Sequence, residues 1–516
     1  VLRGVHYDLS DRDEDFRQGT RIAPPASLVN LCCQPVHVRS IQIPCSQIFL
    51  SKLTENAQEG QLHGLVLCCC SSSRVRPATE ERSMAPSRSH TPALSAATAA
   101  KAPLGTRRAV RGGIFGNYVD QFDIFLPVIA LAPASAQLFG SDNLIGNAGL
   151  IFVATLLGRP IGAAIFGAIS DRIGRTATTK VALLGVALTT LLIALVPDHT
   201  VLGGGTLAAI LLLRFVGGIF LGGEYTSAIP LAMEWSRPER RGLVSGLIMW
   251  MSPWANASIA GMVFVLQSVL DAAAYNEWGW RTLFILGSLL AFPMLFYYRA
   301  RVEESPQWQR PGQRTNPLRE ILMGRHRRAL WQVFILMSGL WLLTNMAIPV
   351  LAGQLGSGAG ALGATGTLDG RTLSFAMMIG TAASALTMAA CGHLSTFTGR
   401  RRFFMGFGML TAVAGPLAFL AVFAAPSLEL LVLGVVALQV MTVSAYGPVG
   451  AYLVERFPTS VRASGYGVGY SLSIVIPALY PYYLPALQGV LGQQGAVAAL
   501  LALGGVLIAV GAFLGP

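Results

Sequence analysis

Charged residues are scarce in this chain of 516 residues. Asp, Glu, Lys and Arg make up 12% of it, whereas about 25% is usual for soluble domains. Hydrophobic residues make up 53%, and they are gathered in blocks such as 147–167, 207–233 and 329–351. Each block is close to the roughly 20 residues that cross the hydrocarbon core of a membrane. The scarcity of charge therefore excludes a soluble enzyme and indicates an integral membrane protein.

The sequence also lacks the residue groupings that catalysis or metal binding requires. We find no nucleophile with a paired base, no glycine-rich phosphate loop and no Cys/His cluster with the spacing of a zinc site. Six of the seven cysteines lie in the first hundred residues, and only Cys391 lies among the apolar blocks. We therefore expect no enzymatic activity, no cofactor and no metal.

The first position is Val1, so an initiator methionine is missing there. Residues 1–105 mix charges, Ser, Pro and Cys without a sustained period, and Met84 opens a Ser/Ala/Thr-rich stretch that leads into the first apolar block. We interpret 1–105 as a poorly ordered extension and Met84 as the start of translation. A peptide from residues 1–80 in the native protein would contradict that start.

Twelve apolar segments follow this extension. They predict an all-α membrane protein with a six-helix bundle over 106–299, a cytoplasmic basic loop over 300–328 and a second six-helix bundle over 329–516. The predicted helices are 113–134, 146–167, 179–196, 205–233, 243–269, 280–299, 329–351, 372–394, 403–424, 428–453, 461–485 and 493–514.

The two bundles repeat in sequence. Three residues recur at an offset of 225, and two more recur at an offset of 221 with their spacing of seven preserved. Such agreement argues for duplication, and paired halves with a site near the membrane midplane are an architecture of secondary transporters. The repeated residues are Gly167, Gly174 and Arg175 with Gly392, Gly399 and Arg400, and Glu234 and Arg241 with Glu455 and Arg462.

Lys and Arg are distributed unevenly among the predicted loops. From Arg107 onward, 22 of them lie in the N-terminal segment and the even-numbered loops, whereas the odd-numbered loops hold only Arg281 and Arg371. This imbalance predicts that both termini and the 300–328 loop are cytoplasmic. The net charge of +12 is spread over the ends of helices and forms no single basic face, so we expect the lipid bilayer as a partner and no nucleic acid.

The turn after the second predicted helix packs a carboxylate and two guanidiniums between glycines. Its sequence, Gly167-Ala-Ile-Ser-Asp171-Arg172-Ile-Gly174-Arg175, resembles the signature loop of the major facilitator superfamily. That resemblance implies a cytoplasmic gate in which Asp171 is a latch against a helix terminus of the other half. The alternative is that the arginines only orient the protein in the membrane. We predict gating roles for Asp171, Arg172, Gly174, Arg175, Glu234, Arg241, Glu455 and Arg462, whereas the second copy of the turn has Thr396 in place of the aspartate.

Five further blocks resemble the metabolite:proton symporter branch of that family. The resemblance implies a monomeric transporter in a bacterial cytoplasmic membrane that takes up a small organic anion or zwitterion together with a proton or another cation. Two positions depart from the pattern of the branch. The usual sequence of its first helix is replaced here by Asp120-Gln121-Phe122-Asp123, and a glutamine of its fourth helix is replaced by Gly217. The substrates of known members therefore cannot be assigned to this chain. The blocks are Arg159-Pro160-Ile-Gly162, Arg214 to Glu224, Gly279-Trp280-Arg281, Glu304-Ser305-Pro306 and Glu455 to Arg462.

Ionisable groups inside the predicted helices are concentrated in the first bundle. Such groups cost about 2.5–3.5 kcal/mol each to insert, so they are functional candidates. We predict that Arg159 or Arg214 binds a substrate carboxylate, and that Asp123, which we expect to meet Arg159 at mid-depth, contributes to the same site. Asp123, Glu224 and, third, Asp120 are the predicted proton carriers. The alternative is that these acids and arginines form fixed pairs that hold the helices together.

The second bundle offers polar and aromatic groups instead. Tyr466 and Tyr470 are four residues apart, so they share a helix face and are predicted to line the substrate site. Two other functions stay open at this point, proton-antiport efflux of a drug or metabolite and a membrane sensor that does not transport. Arg159 and Arg214 argue against the apolar cavity that efflux would need.

Overall fold

The structure is a computed structural model, and it describes residues 104–131, 133–139, 144–308, 316–356 and 370–516. The predicted extension with Met84 and six cysteines, apart from its last two residues, lies outside these ranges. So does part of the basic loop, whose described portion includes a short helix, Pro317–Leu322.

Twelve helical segments of the described chain cover the twelve predicted helices, and we label them α1 to α12. Several contain a short 3-10 or π turn. Their bounds are α1 Leu104–Ala130, α2 Leu144–Ile173, α3 Arg175–Ala194, α4 Gly205–Trp235, α5 Pro238–Val269, α6 Ala272–Arg301, α7 Arg327–Gly356, α8 Gly370–Thr398, α9 Arg400–Phe423, α10 Leu428–Arg456, α11 Thr459–Ala478 continued by Tyr480–Leu491, and α12 Gln493–Phe513.

Ten of these segments, α2 to α10 and α12, are long and apolar enough to cross a membrane, and the two parts of α11 pass the same test together. Helix α1 has 27 residues and is long enough as well, but Asn117, Asp120, Gln121 and Asp123 lower its hydropathy. The described chain therefore matches the predicted all-α membrane fold. The first helix begins nine residues earlier than predicted and ends four earlier, because its basic first turns are helical.

The two halves meet through equivalent helix pairs. Helix α2 packs against α11, and α5 packs against α8. Since the repeat relates α2 to α8 and α5 to α11, these two contacts are copies of each other. The duplication seen in the sequence is thus present in the tertiary contacts.

Within the first half, α2 and α4 pack with their backbones almost touching. A Cβ atom on Gly162 would lie 1.9 Å from the carbonyl oxygen of Ile219, and one on Gly222 would lie 2.3 Å from the carbonyl oxygen of Arg159. Only glycine fits such an approach, as small residues do at membrane helix interfaces. This packing brings Arg159 of α2 close to the Tyr225 ring of α4.

Proline residues mark the irregular helices of the second half. Helix α7 contains a π turn, Met346–Val350, that includes Pro349, because proline has no N–H for the regular ladder. Helix α11 bends by 46° between Ala478 and Tyr480. Both irregular segments belong to helices that border the central cavity described below.

Candidate functional site

Asp171 joins the two halves at one end of the helices, which we call the latch end. Its carboxylate accepts hydrogen bonds from the backbone N–H groups of Ala463 and Ser464, both at 3.0 Å, and from the Ser464 hydroxyl at 2.7 Å. These N–H groups belong to the first turn of the helix Arg462–Leu472, where a carboxylate is stabilised by unpaired donors and the helix dipole. The contact therefore has the geometry expected of the latch, and a gating role stays a prediction.

Arg175 reinforces this contact from inside the first half. Its guanidinium donates to Asp171 at 2.9 Å and to the carbonyl oxygen of Thr459 in the second half at 3.0 Å. It also lies 3.4 Å from Glu234, which receives Arg462 of the second half at 2.8 Å. Two buried carboxylates thus meet one buried and one half-buried arginine across the interface between the halves.

The loop after α6 fastens the same end, which sequence reasoning missed. The Glu304 carboxylate accepts from the N–H groups of Arg175 and Thr176, at 2.9 and 3.0 Å, and so caps the start of α3. Trp308 donates its indole N–H to the carbonyl oxygen of Asp171 at 3.2 Å. The motif Glu304-Ser305-Pro306 was the signal that could have identified this cap.

Gly174 turns the chain between α2 and α3 with φ +112°. That backbone region is almost closed to other residues, and a Cβ atom here would lie 2.4 Å from Glu304 Oε2. Arg172, in the same turn, is exposed. The turn therefore needs its glycine for two separate reasons.

The equivalent turn of the second half is less buried. Arg400 donates to the Ser395 hydroxyl at 2.5 Å and forms an ion pair with Glu455 at 3.2 Å. Arg241 donates to the carbonyl oxygen of Met233 at 3.1 Å and forms no ion pair within the described residues. Thr396 provides no carboxylate here, so the latch of the first half has no charged counterpart.

Deeper in the first half, two buried ion pairs connect α1 with α2 and α4. Arg159 lies 3.3 Å from Asp120, and Arg214 lies 3.0 Å from Asp123. Asp123 also accepts from the Thr190 hydroxyl, and Arg214 also donates to Thr155. The expected meeting of Asp123 with Arg159 is wrong, because depth estimates do not resolve one helical turn and Asp120, three residues earlier, takes that place.

Glu224 is the third carboxylate of this cluster and has no arginine within ion-pair distance in the described chain. It is 2% exposed, and Asp120 is a neighbouring buried carboxyl group. Asp120 Oδ1 and Glu224 Oε2 have no hydrogen-bond partner among the described residues. Two neighbouring carboxyl groups can share a hydrogen bond only when one of them carries a proton, so this pair is a candidate place for one proton.

A cavity of about 110 Å³ lies between the two halves beside this cluster. Among the described residues that line it, Arg159 is the only charged one. Asp123, Arg214, Glu224 and Tyr466 are not in its lining, whereas Tyr470 is. The other polar lining residues are Asn117, Gln121, Ser252, Asn256, Thr344, Thr381, Ser384 and Tyr446.

Aromatic rings connect the halves at the wall of this cavity. Tyr225 of α4 lies 4.2 Å from Tyr470 and 5.6 Å from Tyr466, measured between ring centroids, and Trp341 of α7 lies 5.3 Å from Tyr470. The Arg159 guanidinium is 5.3 Å from the Tyr225 centroid. Tyr225 and Trp341 were not predicted, although Tyr225 directly follows the buried Glu224 in the sequence.

Two repeated bundles and a central cavity beside a buried charge cluster are features of secondary membrane transporters. The family model of the Major Facilitator Superfamily matches residues 114–368. The chain belongs to this superfamily, as its signature turn predicts.

The curated relatives include transporters of small metabolites. It is 26% identical to the inner membrane metabolite transport protein YhjE of Escherichia coli K12, over 74% of this chain and 88% of the relative. It is 29% identical to the alpha-ketoglutarate permease of the same organism, over 72% and 85%. It is 26% identical to the proline/betaine transporter of Salmonella typhimurium, over 73% and 76%. The predicted branch of the superfamily is thereby confirmed.

A solved structure shows the same fold. The proton:xylose symporter XylE, bound to 6-bromo-6-deoxy-D-glucose, superposes with a TM-score of 0.59 at 15% identity, covering 79% of this chain and 94% of that one. At this identity the similarity establishes the twelve-helix architecture and carries nothing about substrate.

Proposed function

We propose that this protein is a monomeric secondary transporter that takes up a small carboxylate-bearing metabolite, an organic anion or a zwitterion, together with a proton. It would lie in a bacterial cytoplasmic membrane with both termini and the latch end in the cytoplasm, as the distribution of Lys and Arg indicates. The observation that carries the proposal is Arg159, the single charged side chain that the described residues contribute to the wall of the central cavity.

Arg159 has the chemistry for a substrate carboxylate. Its guanidinium is already buried and held by Asp120 at 3.3 Å, yet its Nε finds no acceptor among the described residues. A guanidinium offers a planar pair of donors that matches a carboxylate. Because the cavity offers one cation and about 110 Å³, well below the 300–1,000 Å³ of ligand pockets for larger molecules, it favours a small substrate with one carboxylate over a tricarboxylate.

The charge balance of the cluster supports symport. Asp120, Asp123 and Glu224 face two arginines, so the fully ionised cluster already holds one excess negative charge. A substrate carboxylate on Arg159 adds another, and unneutralised charge in a buried site costs several kcal/mol. A proton on the Asp120–Glu224 pair offsets the charge that the substrate adds. Substrate and proton therefore favour each other's binding, which is the coupling that symport requires.

Uptake into proteoliposomes tests this function. Radiolabelled mono-, di- and tricarboxylates and betaines would be supplied outside, with the interior alkaline, acidic or at equal pH, and with or without sodium. We expect an alkaline interior to drive accumulation of a small monocarboxylate or betaine without sodium. Accumulation driven only by an acidic interior would indicate antiport, and no gradient-driven accumulation of any substrate would overturn the proposal.

A further inference from the structure

A second cavity, of about 530 Å³, lies at the latch end of the second half. Four of the described residues that line it are arginines, and the one acidic side chain among them, Glu455, is already paired with Arg400. The other three arginines have no carboxylate within ion-pair distance among the described residues. The cavity thus carries an excess of positive charge.

Those three arginines retain free donors. Arg401 donates once, to the carbonyl oxygen of Phe513 at 2.9 Å, and Arg456 donates once, to Gln332 at 2.9 Å. Arg402 is exposed and has no hydrogen bond within the described chain. Since each guanidinium has five N–H groups, most of the donors around this cavity are available to an anion.

The duplicated fold shows what occupies the matching place in the first half. There the start of α3 is capped by the Glu304 carboxylate, which binds two backbone N–H groups. At the start of α9, where Gly399 is the N-cap residue, no side chain of the described residues accepts a hydrogen bond from the first backbone N–H groups. A Cβ atom on Gly174 would meet Glu304 at 2.4 Å, whereas one on the equivalent Gly399 would meet nothing within 4 Å. One position therefore holds a built-in anion, and its copy is open within the described residues.

We propose that the open copy binds the phosphate group of an anionic membrane lipid. Guanidinium groups and helix N-termini both bind phosphate well. Helix α9 is a membrane span that begins at Arg400, so the cavity lies at the depth of lipid head groups. Phe397 lines the same cavity and is 74% exposed, which provides an apolar surface for an acyl chain that a free anion would not use.

Lipid binding by the purified full-length protein tests this site. Delipidated protein would be titrated with phosphatidylglycerol, phosphatidylcholine or inorganic phosphate, and bound ligand counted by native mass spectrometry. We expect one tightly bound phosphatidylglycerol, and about a thirtyfold weaker affinity in Arg401→Gln/Arg402→Gln, since each basic residue beside an anionic surface contributes roughly fivefold. Arg240→Gln, an exposed arginine at the latch end but outside the cavity, should bind as the unaltered protein does.

A second variant tests the site with all its arginines in place. Glu304 follows the end of α6 by three residues, and Pro516 follows the end of α12 by three and lines the cavity. Pro516→Glu should therefore place a carboxylate near the open position and weaken phosphatidylglycerol binding. Unchanged affinity in both this variant and the double variant would overturn the proposal, and so would binding of inorganic phosphate without phosphatidylglycerol. If the double variant does not fold, Pro516→Glu alone decides.

Discussion

The two halves of this transporter share a scaffold and differ in chemistry. The repeat offsets relate Arg159 to Ser384 and Glu224–Tyr225 to Ala445–Tyr446. In each case the first half keeps an ionisable group where the second has a small one, while the tyrosine is retained in both. The buried charges of the membrane interior therefore belong to one half, although both halves line the cavity.

The latch end shows the same asymmetry. Asp171 is buried against a helix start of the other half, whereas its counterpart Thr396 contributes only a hydroxyl group. The two turns thus share their glycines and an arginine, and only the first of them holds a carboxylate.

The largest difference in substrate affinity between variants of the two halves should appear at Arg159 and its repeat counterpart Ser384. Arg159→Lys removes the planar donor pair and should weaken apparent substrate affinity by roughly ten- to a hundredfold, since hydrogen bonds to charged groups contribute about 1.5–3 kcal/mol. The control Ser384→Ala, in the wall of the same cavity, should change it by less than about threefold. Proteoliposome uptake across a substrate titration measures both. Equal affinities in the two variants would contradict a substrate role for Arg159.

Glu224 should control coupling more than binding. Glu224→Gln keeps the shape of the side chain but cannot lose a proton, so pH-driven accumulation should stop while exchange of external for internal substrate continues. Glu239→Gln, at an exposed position, serves as the control. Counterflow and pH-driven uptake, measured on the same vesicles, separate the two steps. Full pH-driven accumulation in Glu224→Gln would assign the proton elsewhere in the cluster.

Variants at Asp171 and at its repeat counterpart Thr396 compare how the two turns affect the conformation of the protein. Asp171→Asn leaves Arg175 without its closest carboxylate, and losing one partner of a buried pair costs about 3–5 kcal/mol. We expect this cost to destabilise the conformation in which the latch contact is formed, and so to favour opening of the latch end. Thr396→Val should have little effect. Spin labels at Arg237 and Ser460, exposed positions on opposite halves, would report the opening as a longer distance. An unchanged distance distribution in Asp171→Asn would show that the contact is structural only.

The smallest expected difference concerns the two turn glycines. Gly174→Ala and Gly399→Ala each force alanine into a positive φ, +112° and +81°, at a cost of about 1–3 kcal/mol. Gly174→Ala should be the more destabilising, because its Cβ also collides with Glu304 and displaces the cap of α3. Thermal unfolding in detergent compares the two midpoints. A lower midpoint for Gly399→Ala would contradict the role of the Glu304 cap.

Much of the fold was predictable because each membrane span requires about 20 consecutive apolar residues, a pattern that can be recognised within a single segment of the sequence. Twelve segments were expected and are present in the described chain, although the first began earlier, where arginines obscure the helix. The buried acids and arginines were identifiable for the same reason, since charge inside an apolar block is conspicuous. The ion-pair partner of each residue was not identifiable from the sequence. Asp120 and Asp123 are one helical turn apart, and only the packing of the helices determines which of them meets which arginine.

Sequence by itself determined the number of helices, their repeat in two halves, the family, and which half holds the buried charge. These depend on hydropathy and spacing, which each segment carries within itself. Only the tertiary structure decided that Arg159 is the one charged residue among the described residues of the cavity wall, and that Glu224 neighbours Asp120 with no arginine within ion-pair distance in the described chain. It also decided that Glu304 caps the start of α3, whereas no described side chain caps the start of α9. Those outcomes depend on where helices distant in sequence approach within a few ångströms, as the glycine contact of α2 with α4 shows.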